Sequence, residues 1–532
     1  MKPSNSGVVR VASNFVRLFL TFAVGIFVVR VLLRFGDDAY GLIALLGTGT
    51  GVAMIFKEVV RFATVPVLGE AFHSTKEKWF SEIYNSALFS SVVAGVASLL
   101  IFGVFTSCLP LLKFPSELYS AALVFVLCSA LQSLFTVSIA PLFNFYVVSE
   151  RMVAYNSFLL LERLGELASA VITLCLLPTE AGGMETASHA IISYGICNAS
   201  FSALIHLLAA AMIIRVDKRL VPNFRSVTRT ALVTFIKSAT WNGCVVLAMS
   251  LYAKADALLM NLFFGLFGNT AFTLANQSVS YVRSFIIGFA SGLDAVASRV
   301  AKREGDQGVV DLLNRSTNLQ AIVVLPAFCG LLFFATPLIS LWLKGRVQNP
   351  EMIPAIVSLI QIMIFGVGAR CLSEGWIWVM NGAGKVKSYA PLVLLGGILN
   401  PILAVIALSV VPEEYKFFAP ACVFSTLMTI VHLIGLPMVV AREYKVSFKQ
   451  VIGPIVSPCV VCGACLSLAI LSSKLACLAS SSVPFGEDIV LGSVFLISYS
   501  LGACFFLVSG NDRQRVVAML KARLSRTSQE GR

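Results

Sequence analysis

The stretch YAKADALLMNLFFG, residues 252–265, decides the fold because it places Lys254 and Asp256 inside an otherwise apolar run. The residues that precede it, TALVTFIKSATWNGCVVLAMSL (230–251), are almost as apolar. An apolar run of about 20 residues is long enough to cross a bilayer as a helix. Charged side chains within such a run face a partner or a water-filled cavity rather than lipid. The two residues therefore predict a polar interior within a membrane protein.

The composition of the whole chain also indicates a protein that lies in a membrane. Of its 532 residues, 58% are hydrophobic and only 13% are charged, whereas about 25% are charged in ordinary soluble proteins. Because backbone in lipid must satisfy its own hydrogen bonds, the sequence predicts an all-α polytopic membrane protein. The first residues, MKPSNSGVVR, lead directly into an apolar run and lack the pattern of a cleavable signal peptide.

The thirteen cysteines predict neither a metal centre nor a cofactor. CVVCGAC (459–465) has the first spacings of a ferredoxin cluster motif, but the fourth ligand position holds Ala469 and the segment is an apolar helix candidate. The other cysteines are scattered singly through apolar runs, where a free thiol packs as a small hydrophobic group.

Fourteen apolar runs, separated by charged segments or by segments rich in proline and glycine, each predict a membrane-spanning helix. Their approximate limits are 11–34, 40–68, 82–108, 119–148, 152–177, 188–214, 232–264, 269–298, 318–343, 352–381, 386–411, 416–440, 450–473 and 487–510. An even number of spans places both termini on one side. The segments on that side carry 25 lysines and arginines, and the opposite loops carry six. The positive-inside rule therefore predicts cytoplasmic termini, and we expect a multi-pass protein of the cell inner membrane.

Two stretches of the sequence form an internal repeat. RFGDDAYGLIALL (34–46) aligns with LFGNTAFTLANQS (266–278), with Gly36 on Gly268. The alignment pairs the seventh and eighth spans with the first and second, as in transporters that are built from paired bundles. The basic segment RVDKRLVPNFRSVTR (215–229) reads as the linker between the halves. We therefore predict a six-helix bundle with its linker (1–230), a second six-helix bundle (231–445), two further helices (446–510) and a basic cytoplasmic tail (511–532).

The first, second, seventh and eighth spans carry polar stripes. The members of each stripe recur at helical spacing, so each stripe lies on one helix face. They are Arg10, Asn14, Arg17, Lys57, Arg61, Thr64, Ser250, Lys254, Asn261, Asn276, Ser280 and Arg283. These spans contain more cations than acidic residues, which predicts a cationic, water-lined chamber with an anionic ligand. The candidate substrate-binding residues are Arg17, Lys57, Arg61, Lys254, Arg283, Asn276 and Asn261.

A second set of charged residues within the spans consists of candidates for ion coupling or charge pairing. Its members are Asp256, Asp294, Glu58, Glu166, Arg370 and Glu374. Arg163 and Glu166 lie at i,i+3, and Arg370 and Glu374 lie at i,i+4, so both could be structural pairs. The sequence does not select the coupling ion, which could be a proton or sodium.

Lys254 and Asp256 cannot neutralise each other, because residues two apart on a helix point in different directions. Lys254 belongs to a polar stripe. We therefore expect Asp256 to pair with a cation on a neighbouring helix, such as Arg283, Lys57 or Arg61.

Two stretches also resemble a known family. ADALLMNLFFGLFGNTAFTLANQ (255–277), with its Asp–x–Leu–Leu, its glycine-punctuated turn and its Phe–x–Leu–Ala, is similar to the seventh and eighth spans of the bacterial polysaccharide transporter family. VVRVLLRFGDDAYGLIALLGTGTG (28–51) is similar to that family's opening helices. The family includes O-antigen flippases and belongs to the multidrug/oligosaccharidyl-lipid/polysaccharide exporter superfamily. The resemblance implies a V-shaped pair of six-helix bundles with two appended helices, and a polyprenyl-diphosphate-linked oligosaccharide that is turned from the inner to the outer leaflet.

The implied substrate fits the polar stripes, because a diphosphate is a compact anion that basic side chains hold by charge-assisted hydrogen bonds. The expected partners are this lipid-linked glycan, membrane lipids and the glycan polymerase machinery of surface polysaccharide. Nucleic acid is not expected, since most basic residues lie in short segments between apolar runs.

Four other functions remain as alternatives. One is a flippase for lipid II or a related precursor, and another is a drug or cation antiporter, which would need a net acidic cavity. A membrane scaffold is the third. The fourth, a polytopic glycosyltransferase, could use Asp37 and Asp38 of the first outer turn, but such an enzyme tends to have a long outer loop that this chain lacks.

Overall fold

The fold is known from a computed structural model, which describes residues 3–74, 76–177, 183–290, 292–479 and 486–507. Within these ranges the chain is helical and has no β-strand, as expected for backbone that satisfies its own hydrogen bonds in lipid. The predicted tail at 511–532 and the side chain of Arg10 lie outside the described residues.

Seven helices form the first part of the chain. They are α1 (Pro3–Leu32), α2 (Asp37–His73), α3 (Glu77–Cys108), α4 (Tyr119–Ser138), α5 (Ala140–Val148), α6 (Met152–Leu176) and α7 (Met184–Val216). Short 3-10 turns occupy the connections at Leu33–Phe35, Leu109–Leu111, Ser116–Leu118, Lys218–Leu220 and Phe224–Ser226. Gly36, with a φ of 104°, separates α1 from α2 in a conformation that residues with a Cβ atom rarely adopt.

The remaining helices include the two longest. They are α8 (Arg229–Ala290), α9 (Leu293–Leu343), α10 (Met352–Leu372), α11 (Glu374–Gly382), α12 (Val386–Val410), α13 (Glu413–Lys416), α14 (Ala419–Thr429), α15 (Leu436–Tyr444), α16 (Phe448–Ala479) and α17 (Gly486–Gly502). Two π-helical segments, Ile430–Gly435 and Ala503–Leu507, follow α14 and α17.

Helix α8 is broken at Gly265, whose φ is 66°. Glycine is required at this position because a Cβ atom strains the backbone at positive φ. The break falls between the predicted seventh and eighth spans, as Gly36 falls between the first and second. Both copies of the repeat therefore turn at a glycine, although the second turn uses Gly265 rather than the aligned Gly268, which is helical.

Twelve helical segments among the described residues are long and apolar enough to cross a membrane. They make this a multi-pass membrane protein, while the number of fourteen spans stays a prediction. Two features account for the smaller number. The segment Arg229–Gly288 covers two predicted spans, and α6, which carries Glu162, Arg163 and Glu166, is not among the twelve.

The chain forms two compact units, which are described separately. The first comprises Met1–Gly288, Thr336–Gly366 and Val386–Val431, and the second comprises Phe289–Ala335, Val367–Lys385 and His432–Arg532. The predicted bundle boundaries, the V-shaped arrangement and the side of the membrane that holds the termini stay predictions.

In the first unit, the predicted linker at 215–229 is fastened to α3. The hydroxyl of Tyr84 donates to the carbonyl of Leu220 at 2.7 Å. The side-chain oxygen of Asn85 accepts a hydrogen bond from the backbone N–H of Asn223, also at 2.7 Å. The linker is therefore part of the folded N-terminal helices rather than a free tether.

In the second unit, α16 and α17 pack against each other and against α9. The hydroxyl of Tyr499 on α17 donates to the carbonyl of Ile322 on α9 at 2.9 Å. The sulfur atoms of Cys329 on α9 and Cys462 on α16 lie 3.7 Å apart. Both thiols are buried among apolar side chains, as expected for cysteines that act as small packing groups.

Candidate functional site

The helices with polar stripes meet in the first unit, because α1 and α2 both contact the second half of α8. The side-chain amide of Asn269 on α8 donates to the carbonyl of Gly41 on α2 at 2.9 Å. The ring of Tyr281, also on α8, packs edge-to-face on Phe22 of α1 with centroids 4.9 Å apart. Helix α6 packs along α1 and completes this group.

Lys254 on the first half of α8 lies against α2 at Gly51. A Cβ atom on Gly51 would lie 2.7 Å from Nζ of Lys254, so the absence of a side chain provides the space that the lysine occupies. The lysine is half-buried, and no described residue offers its ammonium group a hydrogen bond or an ion pair. A cation in such surroundings is costly unless water or a ligand reaches it.

Lys57, one and a half turns further along α2, is already engaged. Its Nζ lies 3.1 Å from Nε2 of His206 on α7 and 3.8 Å from a carboxylate oxygen of Glu162 on α6. The ring of Phe143 covers it from α5, with the centroid 5.8 Å from Nζ. Lys57 is therefore neutralised within the N-terminal helices and is not a free cation.

Arg17 and Arg61 form a second basic group on α1 and α2. Arg17 donates to the side-chain oxygen of Asn14 at 2.8 Å, and Arg61 pairs with Glu58 at 3.3 Å. Arg17 also lies within electrostatic range of Arg61 and of Arg163 on α6. Since 37% of the Arg61 side chain is exposed, its pairing with Glu58 contributes little to stability.

Arg163 on α6 lies near polar groups of two neighbouring helices. It pairs with Glu166 at 2.8 Å, and 52% of its side chain is exposed. Arg17 of α1 and Tyr281 of α8 both lie within electrostatic range of it. Charged and polar side chains of α1, α6 and α8 therefore come together at this place.

Basic side chains consequently follow α2 from Gly51, where Lys254 lies, through Lys57 to Arg61. At a rise of about 1.5 Å per residue these positions extend over about 15 Å, which is half of the hydrocarbon thickness. The cations therefore form a series along the helix, which we call the basic ladder, rather than one cluster.

Asp256 does not have the cationic partner that the sequence suggested. It is fully buried, and its carboxylate accepts a hydrogen bond from the side-chain amide of Asn400 on α12 at 2.8 Å. Its second oxygen has no hydrogen-bond partner among the described residues, and the same holds for the hydroxyl of Tyr252, one turn earlier on α8. The reason for the error is that α12 brings a neutral amide to this face of α8 where we expected an arginine or lysine.

Asn261, another candidate for substrate binding, holds the connection before α4. Its side-chain oxygen accepts a hydrogen bond from the backbone N–H of Lys113 at 2.9 Å, and its nitrogen donates to the carbonyl of Lys113 at 3.1 Å. Both polar atoms of the Asn261 side chain are used in these hydrogen bonds, and the residue is fully buried. In this structure Asn261 therefore fastens the connection before α4.

Three other candidates are half-buried. Asn276 and Arg283 lie on the second half of α8 in the first unit, and Asp294 lies at the start of α9 in the second unit. Their part in binding or coupling stays a prediction.

Arg370 and Glu374 lie in the second unit and form the ion pair that their spacing predicts, at 3.2 Å. Both side chains are less than 10% exposed. Between them, the hydroxyl of Ser373 donates to the carbonyl of Arg370 and lies 2.8 Å from Nδ1 of the buried His432. These contacts join α10, α11 and the π-helical segment, which indicates a structural network.

A separate cavity of about 650 Å³ in the first unit is lined by Asp37 and Asp38, the residues that an enzyme could use. One carboxylate oxygen of Asp37 accepts hydrogen bonds from the backbone N–H groups of Gln348 (3.1 Å) and Asn349 (3.2 Å). Asp37 therefore anchors the connection between α9 and α10.

Sequence reasoning missed Glu162, His206 and Asn400. Glu162 is next to Arg163 in the sequence, but its carboxylate faces Lys57 on α2. His206 and Asn400 stand alone in apolar runs, and only packing brings them to a charged residue. The one signal that could have found them is that polar residues are rarely placed in a spanning helix without a partner.

Neither a protein-family profile nor a curated protein sequence matches this chain. Solved structures do. An inward-facing multidrug resistance MATE family transporter of the multidrug/oligosaccharidyl-lipid/polysaccharide (MOP) superfamily covers 82% of this chain and 99% of its own length, with a TM-score of 0.66 and 12% identity.

Two further structures extend the similarity. The lipid II flippase MurJ, in an inward closed conformation, covers 94% of this chain and 98% of its own length, with a TM-score of 0.68 and 13% identity. A MOP superfamily transporter from Pyrococcus furiosus, described by the reverse polarity of its binding pocket, covers 82% and 96%, with a TM-score of 0.59 and 12% identity. The chain therefore has the fold of MOP superfamily transporters.

Proposed function

We propose that the protein is a flippase that moves a polyprenyl-diphosphate-linked oligosaccharide from the inner to the outer leaflet by alternating access. In this proposal the diphosphate moves along the basic ladder of α2. The glycan occupies a water-filled space between α1, α6 and α8, and the lipid chain remains in the bilayer. The lipid-linked oligosaccharide in the outer leaflet would then be used to assemble surface polysaccharide.

The single observation that carries the proposal is Lys254. Its ammonium group lies against Gly51 inside the membrane region, without a partner among the described residues. A phosphate oxygen would supply the missing charge-assisted hydrogen bond. A cationic drug would instead be repelled there, which argues against an antiporter for such compounds.

A host strain that lacks its own O-antigen flippase provides the test. Lys254→Gln removes one charge-assisted hydrogen bond, worth about 1.5–3 kcal/mol, and we expect export of surface polysaccharide to fall about 10- to 150-fold. Lys237→Gln is the matched control, since Lys237 is an exposed lysine on the same helix. Equal export by both variants, at equal protein level by immunoblot, would contradict the proposal.

A lipid II-type flippase is the second candidate, favoured by the extent of the fold match. The MurJ structure covers 94% of this chain, whereas the MATE structure covers 82%. The difference, about 12% of the chain, is close to the length of the segment 448–507, which begins with α16 and ends with the second π-helical segment. Rescue of a host depleted of its lipid II flippase, without rescue of the O-antigen mutant, would identify this substrate instead.

We further propose that Asp256 binds the coupling ion. It is buried, its partner Asn400 is neutral, and its second oxygen and the hydroxyl of Tyr252 have no hydrogen-bond partner among the described residues. A proton or a sodium ion bound there would remove the cost of the buried charge. In reconstituted vesicles, transport by the wild type should then depend on a proton or sodium gradient, and Asp256→Asn should abolish that dependence.

A further inference from the structure

Lys57, a member of the basic ladder, belongs to a partly buried group of three residues from three different helices. Lys57, Glu162 and His206 come from α2, α6 and α7, and the two distances from Nζ are 3.1 Å to the imidazole and 3.8 Å to the carboxylate. Of the side chains of Lys57 and Glu162, 18% and 27% are exposed, whereas His206 is buried. A carboxylate placed in this way depends on its cation.

The hydrogen bonds of His206 fix its tautomer. Its Nδ1 lies 2.9 Å from the carbonyl oxygen of Ser202, which can only accept, so Nδ1 carries the proton. Nε2 then has a lone pair that accepts a hydrogen bond from the ammonium group of Lys57. His206 is consequently neutral, and it holds Lys57 beside Glu162 without competing for the negative charge.

The charged groups around Glu162 are few. From α2 it faces Lys57, from α7 it faces His206, and on its own helix the nearest charge is Arg163. Arg163 is bound at 2.8 Å by Glu166, so it is committed to another carboxylate. Lys57 is therefore the cation that keeps Glu162 ionised.

We propose that a bound diphosphate draws Lys57 away from Glu162 and that Glu162 then takes up a proton, so that substrate binding and proton uptake are linked. This inference rests on the proposed function. In the exchange, the ammonium group of Lys57 leaves its ion pair with the Glu162 carboxylate and donates a hydrogen bond to a phosphate oxygen. A proton from water in the space between the helices converts the Glu162 carboxylate to the neutral acid, and no covalent bond to carbon or phosphorus changes.

The physical reason is the cost of an isolated charge. A half-buried carboxylate that loses its cation is more stable as the neutral acid, because the charged form is poorly solvated. The diphosphate meanwhile gains a charge-assisted hydrogen bond from the cation that Glu162 loses. The group thus exchanges one anionic partner for another and takes up a proton as it does so.

Calorimetric titration of the purified protein with farnesyl diphosphate tests the linkage. Titrations in two buffers with different heats of ionisation give the number of protons taken up per diphosphate bound. We expect about one more proton for the wild type than for Glu162→Gln, and this difference cancels any proton exchanged by the probe itself. Glu185→Gln is the control, because it removes an exposed carboxylate on α7 without freeing an arginine next to Glu162, and it should retain the uptake.

Two further measurements keep the inference testable if Glu162→Gln fails to fold. Lys57→Met should bind the probe more weakly and, at saturating probe, without proton uptake, since Glu162 is then protonated beforehand. The wild type should gain the infrared carbonyl band of a protonated carboxylic acid when the probe is added. Binding without the band and without uptake overturns this inference alone, and so does equal uptake by the wild type and Glu162→Gln. Absence of any binding of the probe to the wild type overturns the proposed function and this inference with it.

Discussion

Two buried charged sites in this protein differ in how they are compensated. In the second unit, Arg370 and Glu374 neutralise each other at 3.2 Å. In the first unit, Asp256 is equally buried, but among the residues that the structure describes its only partner is the neutral amide of Asn400. A compensated pair contributes to the fold, whereas a charge without a counter-charge costs free energy and is retained for another purpose. The comparison therefore separates a structural ion pair from the site that we propose for the coupling ion.

The largest expected effect on stability is that of Glu374→Gln. The substitution removes the carboxylate that neutralises a buried arginine, and breaking such a pair costs about 3–5 kcal/mol. We expect the folded protein to disappear from the membrane fraction, which immunoblotting and size-exclusion chromatography in detergent can measure. A normal yield of monodisperse protein would show that Arg370 does not need its partner. The contrast between this pair and Asp256 would then be wrong.

Asp256→Asn should preserve stability and abolish ion-coupled transport. The amide can still accept the hydrogen bond from Asn400, and a costly buried charge is removed, so we expect thermal stability that is unchanged or higher. Ion-gradient-dependent transport should nevertheless fall to the background level. A thermal shift assay paired with vesicle transport measures both quantities. A destabilised but active variant would assign Asp256 to the fold and make it equivalent to the Arg370 site.

The sequence predicted the helical class, the approximate spans and the pair of Arg370 with Glu374, because apolar run length and helical spacing are local properties. It did not predict that Lys57 faces Glu162 and His206, or that Asp256 faces Asn400. Those contacts depend on the rotation of each helix about its own axis. Many small packing contacts set that rotation, such as the close approach of α2 and α8 at Gly41 and Gly51, and no single residue pattern encodes it.

A smaller effect is expected at Gly51, where α2 leaves room for Lys254. In Gly51→Ala the added methyl group would displace the ammonium group without changing any charge, since a Cβ atom there lies 2.7 Å from Nζ. We expect the affinity for farnesyl diphosphate to fall about tenfold, which corresponds to roughly 1.4 kcal/mol.

Gly47→Ala is the matched control for this position. It lies one turn earlier on α2, and nothing lies within 4 Å of a Cβ atom placed there. Because alanine favours a helix over glycine, neither variant should lose helical stability. Equal affinity in the two variants would mean that α2 does not position Lys254, and the ladder would lose its first member.

The smallest effect concerns a charge outside the membrane. Asp217 in the linker accepts hydrogen bonds from the guanidinium of Arg219, the shortest at 2.7 Å, and these bonds hold the pKa of the Asp217 carboxyl below its usual value. A lowered folded-state pKa stabilises the protein above the unfolded-state pKa of about 3.9, and the contribution is lost as the pH falls through the lower folded-state pKa. Since 45% of the Arg219 side chain is exposed, we expect Asp217→Asn to cost less than about 1 kcal/mol at neutral pH.

Arg219 contributes to stability by packing as well as by its ion pair with Asp217. Its guanidinium lies 5.4 Å from the ring centroid of Phe72 and 5.0 Å from that of Phe80. Arg219→Gln should therefore cost more than Asp217→Asn, and a double-mutant cycle isolates the ion pair. Thermal unfolding of the four proteins in detergent should give a coupling energy that vanishes in about 1 M salt, where charges are screened within about 3 Å. A coupling that persists in salt and approaches the loss expected for Glu374→Gln would mean that exposure does not decide what a charge contributes in this protein. The contrast between compensated and uncompensated buried charges would then need another physical basis.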